Sequence, residues 1–276
     1  MSHVRAKKHL WQNFLKNPKI LDMIVWEKSL SDTHVIEVWP GPGDLTAHIL
    51  KKSPASLTLI ELDGDMIPLL EKRFSHESLQ IYLRDVLTIN ITHKNNSKKK
   101  KHGGIEVLQN VFEISMQPYY VYGNIPYYIT SPIIHHFLYD VELEPTVAVF
   151  TMQKEVAERI LARDGCHSVL SLSCQLVSDI EKVCDISPNN FTPVPKVWST
   201  CLKFILKKHD KGTAKKIIWF IKKWFSQKRK KLISNLVQGR YNKNDILSAF
   251  VKMSLSENIR AEELSLEQWK ILFWEL

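Results

Sequence analysis

The sequence predicts an α/β protein: a parallel β-sheet with helices on both faces, followed by a small basic domain built only of helices. Two observations carry that expectation. Short apolar strands alternate with helix-length segments from about residue 34 to residue 162, and such alternation implies crossover connections and parallel strands. The texture then turns to Pro-punctuated strand from Cys184 to Leu206, and after Lys207 only helical patterning remains, much of it lysine-rich. A boundary near 207 divides the chain into domains 1–206 and 207–276.

Taken in order, residues 17–30 read as a helix, with Asn17 as cap, Pro18 in the first turn and Ile20, Leu21, Ile24 and Val25 on one face. His34 to Val38 is a short apolar strand that runs into a Pro/Gly turn, and Asp44 to Lys52 is helical. Leu57 to Ile60 is the second strand, followed by a helix from about Asp65 to Phe74, and Leu79 to Leu83 is the third. Thr92 to about Gly104 is rich in Asn, Lys and Ser, too polar to pack, and reads as a solvent loop. Tyr119 to Tyr122 is the fourth strand, ending in a Pro-bearing turn before a helix near Ser131 to Leu138. Val147 to Met152 is the fifth strand and Glu155 to Ala162 a helix. The last stretch holds helices at roughly 213–226, 229–237, 243–252 and 265–275, and Trp219 and Trp224 read as core aromatics of the first of these.

Composition narrows the function. With 44% hydrophobic and 24% charged residues in 276, the chain is of ordinary globular type. It has no apolar run near the ~20 residues that span a bilayer and no leader-like start, so a cytoplasmic protein without membrane contact is expected, a monomer by default. Four cysteines without short paired spacing, and eleven histidines without ligand spacing, indicate neither a disulfide framework nor a metal. The net charge of +9 is concentrated in Lys98–Lys101 and between Lys207 and Lys231. A solvated basic face is one reading, a polyanionic partner such as nucleic acid the other.

Glu37-Val38-Trp39-Pro40-Gly41-Pro42-Gly43 lies at the carboxyl end of the first strand, where nucleotide-type cofactors bind in such folds. Glycines let backbone approach a ligand, and the next helix offers free N–H groups. Glu61, at the end of the second strand, is placed to accept ribose hydroxyls, and Asp85, after the third, to meet an adenine amino group. After the fourth strand comes Gly123-Asn124-Ile125-Pro126-Tyr127. An exocyclic adenine amine is a poor nucleophile because its lone pair is delocalised into the ring. Two acceptors aimed at its N–H bonds favour the tetrahedral form that attacks a methyl sulfonium. The Asn124 side-chain oxygen can be one; Pro126 biases Ile125 toward extended backbone, which can present the Ile125 carbonyl as the other. Tyr127 offers a face on which an extruded base stacks.

Further runs accompany this turn: Gln12-Asn13-Phe14-Leu15, Gln153-Lys154-Glu155-Val156-Ala157-Glu158-Arg159, Phe191-Thr192-Pro193-Val194-Pro195-Lys196-Val197, Phe225-Ser226-Gln227-Lys228-Arg229-Lys230-Lys231-Leu232 and Arg260-Ala261-Glu262-Glu263-Leu264. With Asn124 to Tyr127 they follow the order seen in the ribosomal RNA adenine N6,N6-dimethyltransferases, which the chain resembles over nearly its whole length, specifically the bacterial small-subunit (kasugamycin-sensitivity) type. The resemblance implies a Rossmann-like class I methyltransferase sheet, S-adenosyl-L-methionine as methyl donor, and two adjacent adenosines in the 3′-terminal hairpin of small-subunit rRNA, in the immature small ribosomal subunit, as substrate. It implies donor contacts from Asn13, Leu15, Trp39, Gly41, Glu61, Asp85 and Asn124, a catalytic set of Asn124, Ile125, Pro126, Tyr127 and Phe191 (the last a second aromatic wall), and RNA contacts from Lys196, Lys228, Arg229, Lys230 and Lys231. A large-subunit enzyme of macrolide-resistance type shares the catalytic turn, but the run from Arg260 to Leu264 favours the small-subunit branch.

The chain departs from the family in four places. Trp39 stands at the first glycine of the cofactor turn, Trp11 at the Gly before Gln-Asn-Phe-Leu, Trp198 at the usual Asp after Lys-Val, and Tyr128 at the usual Asn after Pro-Tyr. An indole at 39 projects toward the space for the donor's amino-acid part. Either the protein is a non-catalytic rRNA-binding assembly factor, or some tryptophans stand for UGA codons that the cell reads as glycine. Nine glycines are few against the ~19 that average usage gives this length, and nine glycines with eight tryptophans come close to it.

Overall fold

Alternating strands and helices build one seven-stranded sheet in the computed structural model, which describes residues 12–93, 106–108, 111–114, 118–163, 165–225, 227 and 230–276. Its strands are β1 (His34–Val38), β2 (Ser56–Glu61), β3 (Leu79–Leu83), β4 (Tyr119–Asn124), β5 (Val147–Gln153), β6 (Ser178–Ile186) and β7 (Ser199–Leu206), in the order β6-β7-β5-β4-β1-β2-β3. Pairs among β1 to β5 are parallel, whereas β7 runs antiparallel to β5. The parallel pairing expected of the strands that alternate with helices is borne out, and the antiparallel β7, in the Pro-punctuated stretch, makes the sheet as a whole mixed. No α-helix lies in the connection from Ile186 to Ser199 that leads into β7, unlike the helical crossovers that usually join parallel strands.

Chain order reverses at β1, which has β2 on one side and β4 on the other. Such a switch point opens a crevice outside the carboxyl ends of the two strands. All five β1 residues are buried, in keeping with a central strand covered on both faces. One sheet face packs Leu57, Leu59 and Tyr122 against Leu21, Ile24, Leu45, Ile49 and Leu70 of helices α1 (Pro18–Ile24), α2 (Asp44–Leu50) and α3 (Ile67–Arg73). Helix α1 stops six residues short of the expected end at 30, because the backbone leaves helical geometry at Val25, with ψ of 70°.

Close approach of β1 and β4 requires glycine at 123. A Cβ there would lie 2.5 Å from Val38 Cγ2 and 3.2 Å from its carbonyl oxygen. Gly123→Ala is expected to destabilise the protein by ~1–3 kcal/mol, the cost of overpacking a close-packed interior, read as a lower urea midpoint with unchanged m-value.

Two features escaped the sequence reading. Asn90–His93, Val111–Ile114 and Glu106–Leu108 form a small second sheet, so Thr92 and His93 are strand rather than loop; the Lys98–Lys101 block lies outside the described residues. Val169–Val177 is a helix, α6 in a series with α4 (Thr130–His135) and α5 (Lys154–Ile160), and Ser168 caps it by accepting the Ser171 N–H. Residues 158–178 belong to a second compact unit with 207–276, which also holds α7 (Lys211–Phe225), α8 (Leu232–Gln238), α9 (Lys243–Lys252) and α10 (Leu266–Glu275). Trp269 is the centre of its core, with ring centroids 6.1 Å from Phe220 and 5.6 Å from Phe225. Trp224 is buried as expected. Trp219 is not: it is 65% exposed and shares its helix face with exposed Lys215, Lys216, Lys222 and Lys223.

Candidate active site

The turn leaving β1 is left-handed at every second residue: φ is 53° at Trp39, 55° at Gly41 and 85° at Gly43. Glycine takes such angles freely, whereas a residue with a Cβ pays ~1–2 kcal/mol. Side chains clamp the turn from outside, since a Cβ at Gly41 would lie 2.7 Å from the Phe14 ring and one at Gly43 2.4 Å from that of Phe74. Its backbone is tied to β2, with Trp39 N–H donating to the Ile60 carbonyl at 3.0 Å and Gly41 N–H to Glu61 Oε2 at 3.0 Å.

Glu61 is a structural organiser of this turn. Its Oε1 accepts the Leu62 and Asp63 N–H groups, each at 2.8 Å. Burial raises its pKa above the ordinary carboxylate range, opposed by those donated hydrogen bonds. Oε2, with one donor, retains a lone pair for a ligand hydroxyl. Gln12, beside it, donates from Nε2 to Asp63 Oδ2 at 2.9 Å, a link the sequence reading did not anticipate.

At the end of β4, Asn124 Nδ2 donates to the Asn13 carbonyl at 2.7 Å. A carbonyl only accepts, so this bond fixes the amide with its NH2 toward Asn13 and leaves Oδ1 as the acceptor on the other side. Ile125 N–H donates to the Thr151 carbonyl at 3.1 Å, tying the turn to β5. Pro126 has ψ of 133°, and Tyr127 is half-buried with its hydroxyl 2.7 Å from Ser199 Oγ. Asn13, Trp39, Gly41, Glu61, Asn124, Ile125, Pro126 and Tyr127, named from widely separated stretches, thus line one hollow, and Leu15 lines a neighbouring one.

Other candidates lie elsewhere. Phe191 pairs with Leu15 across a two-residue antiparallel ladder, but its ring is 2% exposed within the apolar core and does not line either hollow. Asp85 caps a 3-10 turn, Oδ1 accepting the Leu87 N–H at 3.0 Å, and is not among the residues that line either hollow. Lys196, Lys230 and Lys231 are exposed; Lys228, Arg229 and Trp11 lie outside the described residues. Trp198 and Tyr128 are about half exposed, at 50% and 51%.

The hydrogen-bonding groups suit a nucleoside-bearing methyl donor; the space does not. The two hollows have volumes of about 30 and 20 Å³, room for about a water apiece, and Trp39 lines both.

Comparison with known proteins gives a consistent picture. The family model described as "Ribosomal RNA adenine dimethylase" matches residues 3–276. The chain is 35% identical to a Ribosomal RNA small subunit methyltransferase A of Mycoplasmopsis pulmonis, covering 99% of this chain and 100% of the relative. It is 33% identical to the protein of the same name from Aliarcobacter butzleri, covering 96% and 94%. Among solved structures, the fold is similar to the 23S rRNA methyltransferase ErmE (TM-score 0.71, 22% identity, 96% of this chain and 99% of that one). It is equally similar to a dimethyladenosine transferase from Plasmodium falciparum (TM-score 0.71, 24% identity, 94% and 95%).

Proposed function

Because the chain belongs to the ribosomal RNA adenine dimethylase family, we propose that it transfers methyl groups from S-adenosyl-L-methionine to the N6 amines of two adjacent adenosines in the 3′-terminal hairpin of small-subunit rRNA, acting on the immature small ribosomal subunit in the cytoplasm as a monomer. It is an rRNA adenine dimethyltransferase by family. The observation that carries the finer reading is the Asn13–Asn124 bond: it spans 111 residues to leave one amide oxygen facing outward beside a proline-fixed turn and an aromatic ring.

In this reading Asn124 Oδ1 accepts an N–H of the target amine, holding its hydrogens out of the ring plane so that the lone pair faces the incoming carbon. The Ile125 carbonyl is the second acceptor. When bound, the donor supplies an electrophilic methyl on a sulfonium. Tyr127 stacks on the flipped base, and its bond to Ser199 holds the ring in register. Lys196 and the run Lys228 to Lys231 contact rRNA phosphates, and the helical domain 207–276 supplies most of the RNA affinity. Identity of 35% to the small-subunit relative and the run Arg260 to Leu264 support small-subunit over large-subunit rRNA. Trp39 favours one second reading, a non-catalytic rRNA-binding assembly factor.

Radiolabelled methyl transfer to immature small subunits tests the proposal, using proteins with tryptophan and with glycine at 39. Label on paired adjacent adenosines of the 3′ hairpin is expected. A donor-binding protein that labels the large subunit, or that binds rRNA without transfer, overturns it. Tyr127→Ala is expected to lower kcat/KM by roughly 10–100-fold, from base stacking of ~1–3 kcal/mol, with a smaller loss for Tyr127→Phe, which keeps the aromatic face and gives up the bond to Ser199.

A further inference from the structure

We infer that the working protein carries glycine at position 39, and that tryptophan there shuts the methyl-donor site. The argument begins with the backbone. Among the described residues four non-glycine residues have positive φ: Trp39, Ser53, Arg240 and Ser254. The last three follow the ends of α2, α8 and α9, where a left-handed residue commonly closes a helix. Trp39 instead follows a central strand, in a turn whose two other left-handed positions, 41 and 43, are both glycine. A bulky side chain is poorly suited to that conformation. The alternation at 39, 41 and 43 is the pattern of a backbone built from three glycines.

Space gives the second, independent observation. Trp39, with Phe14 and Asn124, lines both hollows, and what remains is about 30 and 20 Å³, against the ~300–1,000 Å³ of small-molecule sites. Around it the polar groups are laid out for a ligand, with Glu61 Oε2 holding spare acceptor capacity and Asn124 fixed by Asn13. A site so furnished has little room left for the ligand it is furnished for. The third observation is compositional: nine glycines beside eight tryptophans. A UGA codon decoded as glycine in the producing cell accounts for all three. Trp219 shows by contrast that not every tryptophan is of this kind, since it sits in mid-helix, where glycine is destabilising.

The inference rests on the reading of this site as a methyl-donor site, and its test separates the two. The 276-residue protein with tryptophan at 39, Trp39→Gly and Trp39→Ala are titrated calorimetrically with S-adenosylmethionine, and codon 39 is read in the source gene. A gain of at least about a hundredfold in affinity is expected for Trp39→Gly, equivalent to ~2.7 kcal/mol, with UGA at the codon. Alanine removes the indole but keeps a Cβ in the left-handed conformation, so Trp39→Gly is expected to melt about 2–4 °C above Trp39→Ala. No gain in affinity on replacing Trp39, equal melting of the glycine and alanine proteins, or UGG at the codon overturns the inference. A glycine protein that binds donor tightly but methylates no small-subunit rRNA overturns the proposed function instead and leaves this inference standing.

Discussion

Asn124→Ala, made in the protein with glycine at 39, is expected to reduce methyl transfer by on the order of 10³-fold, the range found when one preorganised hydrogen-bonding group is removed from a reacting centre. Affinity for rRNA should stay within about twofold, since phosphate contacts dominate it. The asymmetry follows from the geometry. The Asn124 amide is oriented by the Asn13 carbonyl at 2.7 Å, so Oδ1 is spent on nothing in the fold and is available to the amine. Alanine deletes that acceptor and leaves the Asn13 carbonyl without this donor. Asn124→Asp separates the two effects. It keeps an acceptor but sets a carboxylate oxygen against the Asn13 carbonyl, so it should hold the substrate amine less well than asparagine and transfer faster than alanine. Transfer rates, filter-binding affinity and melting temperature for both variants give the answer. Parallel losses of transfer and rRNA affinity would remove Asn124 from its assigned role.

The sheet was legible because each of its first five strands is a short apolar run of the right length, and the structure moves their boundaries by only one or two residues. What the sequence hid was whatever depends on partners far along the chain. The direction of β7, antiparallel to β5, could not be read from its own residues. Helix α6 was left unassigned, although Ser168 with Ser171 three residues on is a capping pair. At the site, positions 39, 61 and 124 were recognisable from their strand ends and Asn13 through the resemblance, and the structure brings them to one hollow. Phe191 was named through the resemblance and Asp85 first from its place after the third strand; in the structure the Phe191 ring is core and the Asp85 carboxylate caps a turn. Motif matching places a residue in an element; it does not say which way that element turns the side chain. The backbone angle at Trp39 was likewise beyond the sequence, which showed an unusual residue but not that its φ is one glycine prefers.

Glu37→Gln is expected to make the protein more stable than its parent at pH 8 and nearly equal to it near pH 4.5. Glu37 sits inside β1, 1% exposed, a carboxyl in the middle of an apolar strand. Burial pushes its pKa up to about 8, with the charges of Glu61 and Asp44 acting the same way and the hydrogen bond from Thr46 Oγ1, at 2.7 Å, acting against. The folded protein therefore holds this proton across a range in which the unfolded chain, titrating near the ordinary 4.5, has released it. Below pH 4.5 both states are protonated and the neutral carboxyl carries no ionisation penalty. From there to about pH 8 the folded state binds more protons than the unfolded one, so stability falls as pH rises, by ~1.4 kcal/mol per unit at most. Over the whole window this is roughly 3–6 kcal/mol, and above pH 8 both states are ionised and the slope vanishes. Glutamine keeps an acceptor for the Thr46 hydroxyl and has no proton to lose, so the variant should lack this descent. Urea titrations of both proteins at half-unit intervals from pH 5 to 9 measure it. Stability curves that run parallel across that range would show that Glu37 titrates alike in the folded and unfolded chains, and the buried neutral acid beneath the donor turn would have to be given up.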